Sequence, residues 1–324
     1  MLETAIFSIK NPEDFERLAI EVFRYQYENT EVYRQFCDFL KVAPASVKKI
    51  ENIPFLPIQF FKSHRVISKS VSESITFTSS GTTGSITSKH HVSDLNLYEK
   101  SFLTAFELFY GNPSEYTILA LLPSYIERGG SSLVYMAANL IETSDLEHSG
   151  FYLNDINALI EKLNFLENTN QKTILLGVSY ALLDLIEKQK FKLKNTIVME
   201  TGGMKGKRKE LVKDELHSIL KNGFGVDRIH SEYGMTELLS QAYSIGEGVF
   251  HTPPWMKIRT RDTEDALSFV HEKTGGINVI DLANLHSCSF IATQDLGRLR
   301  KDGSFEILGR FDTSDIRGCN LMVQ

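Results

Sequence analysis

Between residues 75 and 230 the sequence alternates short apolar runs with longer amphipathic ones, and this alternation constrains the fold most. The runs Tyr116–Leu122, Thr173–Val178 and Thr196–Met199 predict buried strands, because they are apolar and rich in β-branched residues. Stretches with helical spacing lie between such runs, among them Asp94–Tyr110 and Tyr180–Lys190. Strands that alternate with helices of this length are typical of α/β layers with largely parallel strands.

Four further segments give local predictions. Asn11 followed by Pro12 is a typical helix start, because Asn can cap the first turn and Pro fits the first helical position. In Ile53–Lys62, two prolines three positions apart predict an extended apolar segment pinned against the core. Lys207–Leu220 is predicted to be a helix and Val226–Ile229 a strand.

From about Pro253 the pattern changes to short alternating runs separated by turn signals, which predicts a β-rich subdomain. These runs are Met256–Arg261, Ile277–Asp281, Ser289–Thr293 and Phe305–Leu308. The expected organisation is a helical N-terminal segment (1–70), an α/β core (71–250) and a β-rich subdomain (251–324).

Composition narrows the class of protein. A chain of 324 residues with a formal net charge of −6 can bury a large core, and its charge balance gives no sign of a basic, nucleic-acid-binding face. No apolar run is long enough to span a membrane, and no signal peptide is apparent. The cysteines, Cys37, Cys288 and Cys319, are too sparse for a disulfide framework, so a cytoplasmic location is expected.

The loop Thr78–Ser85 holds six hydroxyl side chains and two glycines directly after a predicted strand. Glycines allow close backbone approach, and successive amides and hydroxyls can wrap phosphate oxygens. The Walker pattern is absent. Composition alone favours a flexible Ser/Thr/Gly loop, whereas the position directly after a strand favours phosphate binding.

A second segment, Ser231–Glu237, directly follows the strand predicted at Val226–Ile229. Ligands of open α/β sheets lie beyond the carboxyl ends of strands, so this position favours a binding role over a solvated turn. Tyr233 offers a flat ring, Thr236 a hydroxyl and Glu237 a hard oxygen ligand suited to Mg²⁺.

The third and fourth segments are Thr293–Gly297 and Leu308–Asp312. Asp295, expected just after a strand, can accept two hydrogen bonds from hydroxyls such as those of a ribose, or form an Asx-type turn. Arg310 can fork onto hydroxyl or phosphate oxygens, or form a surface ion pair with Asp312. The order and spacing of all four segments are more specific than any one of them.

Taken in order, the four segments resemble the adenylate-forming superfamily of acyl-CoA synthetases, luciferases and nonribosomal adenylation domains. The resemblance implies a layered α/β N-terminal core with a β-rich subdomain, which uses ATP and Mg²⁺ to convert a carboxylic acid into an acyl-adenylate. The roles that it implies are phosphate binding by Ser79, Ser80, Gly81, Thr82, Thr83 and Gly84; nucleotide binding by Tyr233 and Gly234, with the ring stacked on adenine; contact with the phosphate–metal region by Thr236; Mg²⁺ binding by Glu237; and ribose binding by Asp295 and Arg310.

A narrower resemblance, to the LuxE-type acyl-protein synthetases, rests on Ile53–Lys62 and on the ending Ile316–Val323. In that family the activated acyl group passes to a cysteine near the C-terminus, a place that Cys319 occupies here. The resemblance implies a fatty acid substrate, transfer to a protein thiol, and a reductase, transferase or carrier protein as partner.

Fourteen residues follow Arg310, so the small C-terminal domain of typical acyl-CoA synthetases, with its catalytic lysine, is expected to be lacking. Lys205, Lys207 or a partner protein are candidates to replace that lysine. Besides an enzyme that acylates itself or a carrier protein, a nucleotide-binding subunit that is non-catalytic or depends on a partner therefore stays open.

Overall fold

A computed structural model describes residues 2–79, 86–123, 130–203, 208 and 211–311, and its elements form a layered α/β fold. The helices of this part are α1 (Leu2–Ala5), α2 (Pro12–Asn29), α3 (Glu31–Phe39), α4 (Phe60–Ser63), α5 (Leu95–Tyr110), α6 (Ser132–Ser144), α7 (Ile156–Asn168), α8 (Ser179–Lys188) and α9 (Lys213–Phe224). The strands are β1 (Leu56–Pro57), β2 (Ile75–Thr78), β3 (Lys89–Val92), β4 (Thr117–Leu121), β5 (Gly150–Phe151), β6 (Thr173–Val178), β7 (Thr196–Thr201), β8 (His230–Tyr233), β9 (Ala242–Ser244), β10 (Val249–Phe250), β11 (Met256–Arg261), β12 (Phe269–Val270), β13 (Thr274–Asp281), β14 (Phe290–Leu299) and β15 (Phe305–Arg310).

The first large sheet has the strand order β5-β4-β6-β7-β8-β9 within the described residues. All neighbours pair in parallel except β8 and β9, which are antiparallel. Every residue of β4 and β6 is buried, as expected for parallel strands covered on both faces. The prediction of a largely parallel α/β core is therefore confirmed.

The second large sheet is antiparallel along the order β10-β15-β14-β13-β11-β12. The short strand β1 adds to it in parallel, with Leu56 opposite Ile291 and Pro57 opposite Ala292. The first half of β14 thus lies between β13 and β1, and its second half lies between β13 and β15. The β-rich region predicted after Pro253 is confirmed.

Side chains cap the N-terminal ends of two helices, the first of them as the sequence predicts. Asn11 Oδ1 accepts the Asp14 amide at 2.8 Å and Pro12 begins α2. Asp94 caps α5 in the same way, and Gly111, with φ of +83°, ends that helix. Each cap satisfies an amide that would otherwise lack a partner in the first turn.

Four local predictions were wrong. The strand predicted at Val226–Ile229 begins only at His230, where it pairs with Met199, because Gly225 takes a left-handed φ of +67° and closes α9 first. The helix predicted at Lys207–Leu220 is described from Lys213 to Phe224.

The segment Ile53–Lys62 is not uniformly extended, since it contains β1 and the single turn α4. Pro57 is accommodated at a strand with one paired edge, where the missing amide costs little. Asp295 lies inside β14 rather than after a strand, because β14 continues through Leu299 and pairs there with β15.

The N-terminal helices pack on the β-rich part. The side-chain amide of Gln26 donates to the carbonyls of Asn284 and Leu285 at 3.0 and 2.8 Å, and Thr30 donates to the Ser287 carbonyl at 3.1 Å. The division into residues 1–70, 71–250 and 251–324 stays a prediction.

Candidate active site

Tyr233 and Asp295 meet where the two large sheets adjoin. Tyr233 is the last residue of β8, and its hydroxyl donates to Asp295 Oδ2, in the middle of β14, at 2.8 Å. Both residues are buried, each with 9% of its surface exposed. The bond therefore joins the carboxyl end of a parallel strand to the antiparallel sheet, at the edge where α/β proteins bind ligands.

Arg310, the last residue of β15, lies directly opposite Asp295 of β14. Its Nε is 3.2 Å from Asp295 Oδ1. Burial raises the pKa of the Asp295 carboxyl, while Arg310 and the Tyr233 hydroxyl act in the opposite direction. The Arg310 side chain is 72% exposed whereas that of Asp295 is 12% exposed. A buried carboxylate is thus paired with a solvent-facing guanidinium that is accessible to a ligand.

The ring of Tyr233 packs against two aromatic side chains of the antiparallel sheet. Its centroid lies 5.9 Å from that of Phe250 and 5.6 Å from that of Phe305, at interplanar angles of 61° and 76°. Gly234 follows at a point where a Cβ would come within 2.5 Å of Glu232 Oε1, so only glycine fits without a shift. This packing fixes where the ring lies.

Glu237 carries a buried carboxyl group. Burial raises its pKa, and a hydrogen bond from the Ser88 side chain and the charges of Arg310 and Lys62 partly offset that effect. The Glu237 carboxylate therefore interacts with residues from three other parts of the chain, α4, the segment before β3 and the end of β15.

Buried side chains hold the backbone around Thr236 and Glu237. His90, on β3, is fully buried, and its Nδ1 donates to the Thr236 carbonyl at 2.8 Å. The Asn284 amide nitrogen donates to the Glu237 carbonyl at 2.8 Å, and its Oδ1 lies 3.0 Å from His90 Nε2. Burial lowers the pKa of His90 to about 4, and the oxygens beside its two ring nitrogens act in the opposite direction.

The ends of the Ser/Thr/Gly loop are fastened to each other. β2 and β3 pair up to Thr78 and Lys89, the Ser79 amide donates to the Ser88 carbonyl at 3.1 Å, and the Ser88 amide donates to Ser79 Oγ at 2.9 Å. The loop is thus the connection of a hairpin whose base lies beside Glu237. The predicted phosphate ligands Ser80, Gly81, Thr82, Thr83 and Gly84 lie outside the described residues.

Several other predicted residues also lie outside the described part of the chain. They are Cys319, Lys205 and Lys207. The other two cysteines, Cys37 and Cys288, are buried and unpaired, and burial raises both thiol pKa values, that of Cys37 to about 12. Across the described helices, none combines the length and apolarity needed to span a bilayer.

Sequence reasoning missed four groups that the fold brings to the site. Lys62 and Ser88 act on the Glu237 carboxyl, and His90 and Asn284 hold the neighbouring carbonyls. Only Lys62 had a signal, because it ends the apolar segment Ile53–Lys62. The other three are single polar residues whose partners are distant in sequence.

Comparison with known proteins identifies the family. The family described as "Acyl-protein synthetase, LuxE" matches residues 8–122 and 139–324. The "Long-chain-fatty-acid--luciferin-component ligase" of Vibrio harveyi is 24% identical over 94% of this chain and 86% of that protein. The protein of the same name from Aliivibrio fischeri is 23% identical over the same shares.

Solved structures share the fold at low sequence identity. A 2-hydroxyisobutyryl-CoA ligase in complex with 2-HIB-AMP and CoA aligns over 94% of this chain and 72% of its own, with a TM-score of 0.66 and 12% identity. ATP-bound MatB from Rhodopseudomonas palustris aligns over 72% of this chain with a TM-score of 0.55 and 18% identity, and the chain spans 47% of MatB. The chain therefore belongs to the LuxE acyl-protein synthetase family and is a ligase with the fold of adenylate-forming CoA ligases.

Proposed function

We propose that this ligase uses ATP and Mg²⁺ to activate a fatty acid as its acyl-adenylate and then transfers the acyl group to a protein thiol, with its own Cys319 as the acceptor. The observation that carries the proposal is the linked set of Tyr233, Asp295, Arg310 and Glu237. Three separate sequence segments supply these side chains, and direct contacts or charge interactions connect them.

Each of these side chains is chemically suited to one group of the nucleotide. The Tyr233 ring stacks on adenine beside Gly234, and Asp295 accepts hydrogen bonds from the ribose hydroxyls. Arg310, exposed and beside Asp295, reaches the ribose. The phosphates occupy the loop Ser79–Gly84, with Thr236 at the phosphate–metal region.

The residues present fit Mg²⁺. Glu237 offers a buried carboxylate, which is a hard oxygen ligand, and its raised pKa reflects a charge poorly compensated by its surroundings. Among the described residues, no three His, Cys, Asp or Glu side chains are arranged to hold a metal ion. Sharing the ion with phosphate oxygens and water is the usual arrangement for Mg²⁺ beside one carboxylate. When bound, Mg²⁺ would neutralise phosphate charge.

In the first step a carboxylate oxygen attacks the α-phosphorus of ATP, the bond to the β-phosphate oxygen breaks, and pyrophosphate leaves. The barrier is dominated by repulsion between anions, so cations and hydrogen-bond donors fixed at the phosphates lower it. The Ser79–Ser88 hydrogen bonds support this role, because they fix the base of the loop before the nucleotide binds.

In the second step a thiolate attacks the acyl carbonyl carbon, a thioester forms and AMP leaves. Cys37 and Cys288 are poor candidates, since both are buried with raised thiol pKa values. The Cys319 assignment rests on the likeness of the chain's ending to the LuxE family. The fatty acid substrate rests on the names of the relatives, and the partner that receives the acyl group is proposed to be a reductase, transferase or carrier protein.

Mg²⁺-dependent ATP–pyrophosphate exchange, measured across acetate, long-chain fatty acids and aryl acids, tests the first step. We expect exchange with long-chain acids, and Glu237→Gln should lower it by about two orders of magnitude or more. Glu215→Gln, an exposed acid on α9, is the matched control and should leave exchange unchanged.

Full exchange in Glu237→Gln would overturn the metal assignment. ATP binding without exchange for any acid would instead favour the non-catalytic or partner-dependent subunit.

A radiolabelled fatty acid tests the second step. With ATP, the wild type should acquire a protein-bound label that neutral hydroxylamine removes, as expected for a thioester. Cys319→Ser should keep pyrophosphate exchange and lose this label, whereas Cys37→Ala should keep both. A hydroxylamine-labile label that persists in Cys319→Ser would remove Cys319 from the reaction.

A further inference from the structure

Arg261, the last residue of β11, has a buried guanidinium group that none of the motifs predicts. It is 8% exposed and hydrogen-bonds to neutral oxygens rather than to a carboxylate. Its Nη1 donates to the Ile277 carbonyl at 2.8 Å and to Asn278 Oδ1 at 2.7 Å, and its Nη2 donates to the Thr293 carbonyl at 2.5 Å. Burying a charged group costs free energy unless it is hydrogen-bonded, and these hydrogen bonds hold the three oxygens in one arrangement around the guanidinium.

The partners of Arg261 lie at a break in the sheet. The register between β13 and β14 shifts between Gly276 and Asn278, so Ile277 lies in the interruption of the ladder. The Thr293 hydroxyl donates to the same Ile277 carbonyl at 2.8 Å and accepts the Asp295 amide at 3.1 Å. The guanidinium therefore occupies the position of missing ladder bonds, two residues before Asp295.

The slot around Arg261 has the shape of its side chain. A Cβ on Gly276 would come within 2.5 Å of Arg261 Cζ, so the glycine makes room for the guanidinium. The Phe311 ring covers it, with 5.3 Å between Arg261 Cζ and the ring centroid. Arg261 thus touches both the Thr293–Gly297 segment and the residue that follows Arg310.

Two arginines act on the charge of Asp295, and their side chains differ in how far they can move. Burial raises the pKa of Asp295, while the charges of Arg310 and Arg261 both favour its ionised form. Arg310 is exposed and can turn toward a bound nucleotide, whereas Arg261 is fixed by its hydrogen bonds. The buried cation would keep Asp295 ionised when the exposed one changes partner.

We propose that Arg261 is a positioning residue for nucleotide recognition, which closes the break between β13 and β14 and holds Asp295 in place as an acceptor for the ribose hydroxyls. The inference rests on the proposed function, because it takes Asp295 as the ribose ligand. It assigns Arg261 no contact with the nucleotide.

The test compares ATP with 2′-deoxy-ATP and 3′-deoxy-ATP in pyrophosphate exchange, as kcat and KM separately. The wild type should prefer ATP over at least one deoxy analogue by about tenfold or more, the usual cost of losing a hydrogen bond to a charged acceptor. Arg261→Met and Arg261→Lys should reduce that preference to about threefold or less, mainly through the KM for ATP. Arg259 lies on the same strand as Arg261 and pairs with Glu51, and Arg259→Met should leave the preference unchanged.

The outcomes separate the inference from the proposed function. Asp295→Asn should abolish the preference, and if it does while both Arg261 variants keep the wild-type ratio, the positioning role is wrong. If Asp295→Asn also keeps the ratio, the ribose assignment itself fails. A melting temperature is measured for each variant, and if Arg261→Met does not fold, Arg261→Lys decides. Equal losses with ATP and both analogues would mean that Arg261 only stabilises the sheet.

Discussion

Two buried carboxylates near the candidate site, Glu200 in the parallel sheet and Asp281 in the antiparallel sheet, have pKa values that shift in opposite directions. In the parallel sheet, burial acts to raise the pKa of Glu200, but Lys213, with Nζ 2.9 Å from Oε1, and His217 outweigh it and lower the pKa to about 2. In the antiparallel sheet, burial raises the pKa of Asp281 to about 6, although the Leu239 and Ser240 amides donate to it at 2.8 and 3.0 Å.

The difference lies in the counter-ion. Hydrogen-bond donors stabilise the Asp281 carboxylate without cancelling its charge, whereas the Lys213 ammonium cancels most of that of Glu200. Asp281 holds the chain directly after Glu237, and Glu200 lies at the end of β7, opposite Ser231 of β8. One side of the site is thus fixed by an uncompensated charge and the other by an ion pair.

The largest effect is expected from Asp281→Asn. Asn cannot take up the proton that stabilises the folded form at low pH, and its NH2 group faces amide donors, so the free energy of unfolding should fall by about 4 kcal/mol at low pH. Because the folded pKa of about 6 exceeds the usual 3.8, the stabilising protonation is complete below pH 3.8 and is lost as pH rises through 6. Urea unfolding of both proteins between pH 4 and 7 should therefore show a penalty that shrinks as pH rises. A penalty independent of pH would contradict the raised pKa.

Lys213→Met should have the next largest effect. It leaves Glu200 buried without its ammonium partner, which costs about 3 kcal/mol at pH 7. The folded pKa of about 2 is below the usual 4.5, so the ion pair stabilises above pH 4.5 and is lost as pH falls toward 2. The penalty should shrink toward low pH, the reverse of Asp281→Asn. Lys221→Met, on the same helix, is the control, and a loss as large there would discount the ion pair.

The smallest effect is expected from Tyr233→Phe, which leaves the ring in place and removes only the hydrogen bond to Asp295. The free energy of unfolding should fall by about 1 kcal/mol. Asp295 differs from both other acids because the cation in direct contact with it, Arg310, is exposed. A thermal melt measures the change, and a loss above about 3 kcal/mol would show that the hydroxyl, rather than Arg310, is the main partner of Asp295.

Strands of the parallel sheet could be predicted from the sequence because their burial leaves a direct signature. Thr173–Val178 is apolar along its whole length and matches β6 residue by residue. The strand ending in Tyr233 could not be predicted in the same way. Its sequence, His-Ser-Glu-Tyr, is polar, and it is a strand because it pairs with β7 and β9 and its polar side chains have buried partners.

Only the site residues that lie in local sequence motifs could be predicted from the sequence. Tyr233, Asp295 and Arg310 stand in recognisable segments, and two direct contacts join them. His90 and Arg261 stand in no motif, since their roles depend on carbonyls 146 and 32 residues away in sequence. Spacing within one segment carries no information about such partners.

The pairing of β1 with β14 has a consequence for how the chain folds during synthesis. Leu56 and Pro57 find their strand partners at Ile291 and Ala292, and Gln26 bonds to Asn284 and Leu285. The apolar face of α2 can pack on α3 early, through Phe23 and Tyr33, but its partners in the antiparallel sheet exist only after more than two hundred further residues have been synthesised. Contacts of such high sequence separation slow folding, so the N-terminal helices dock on the antiparallel sheet late.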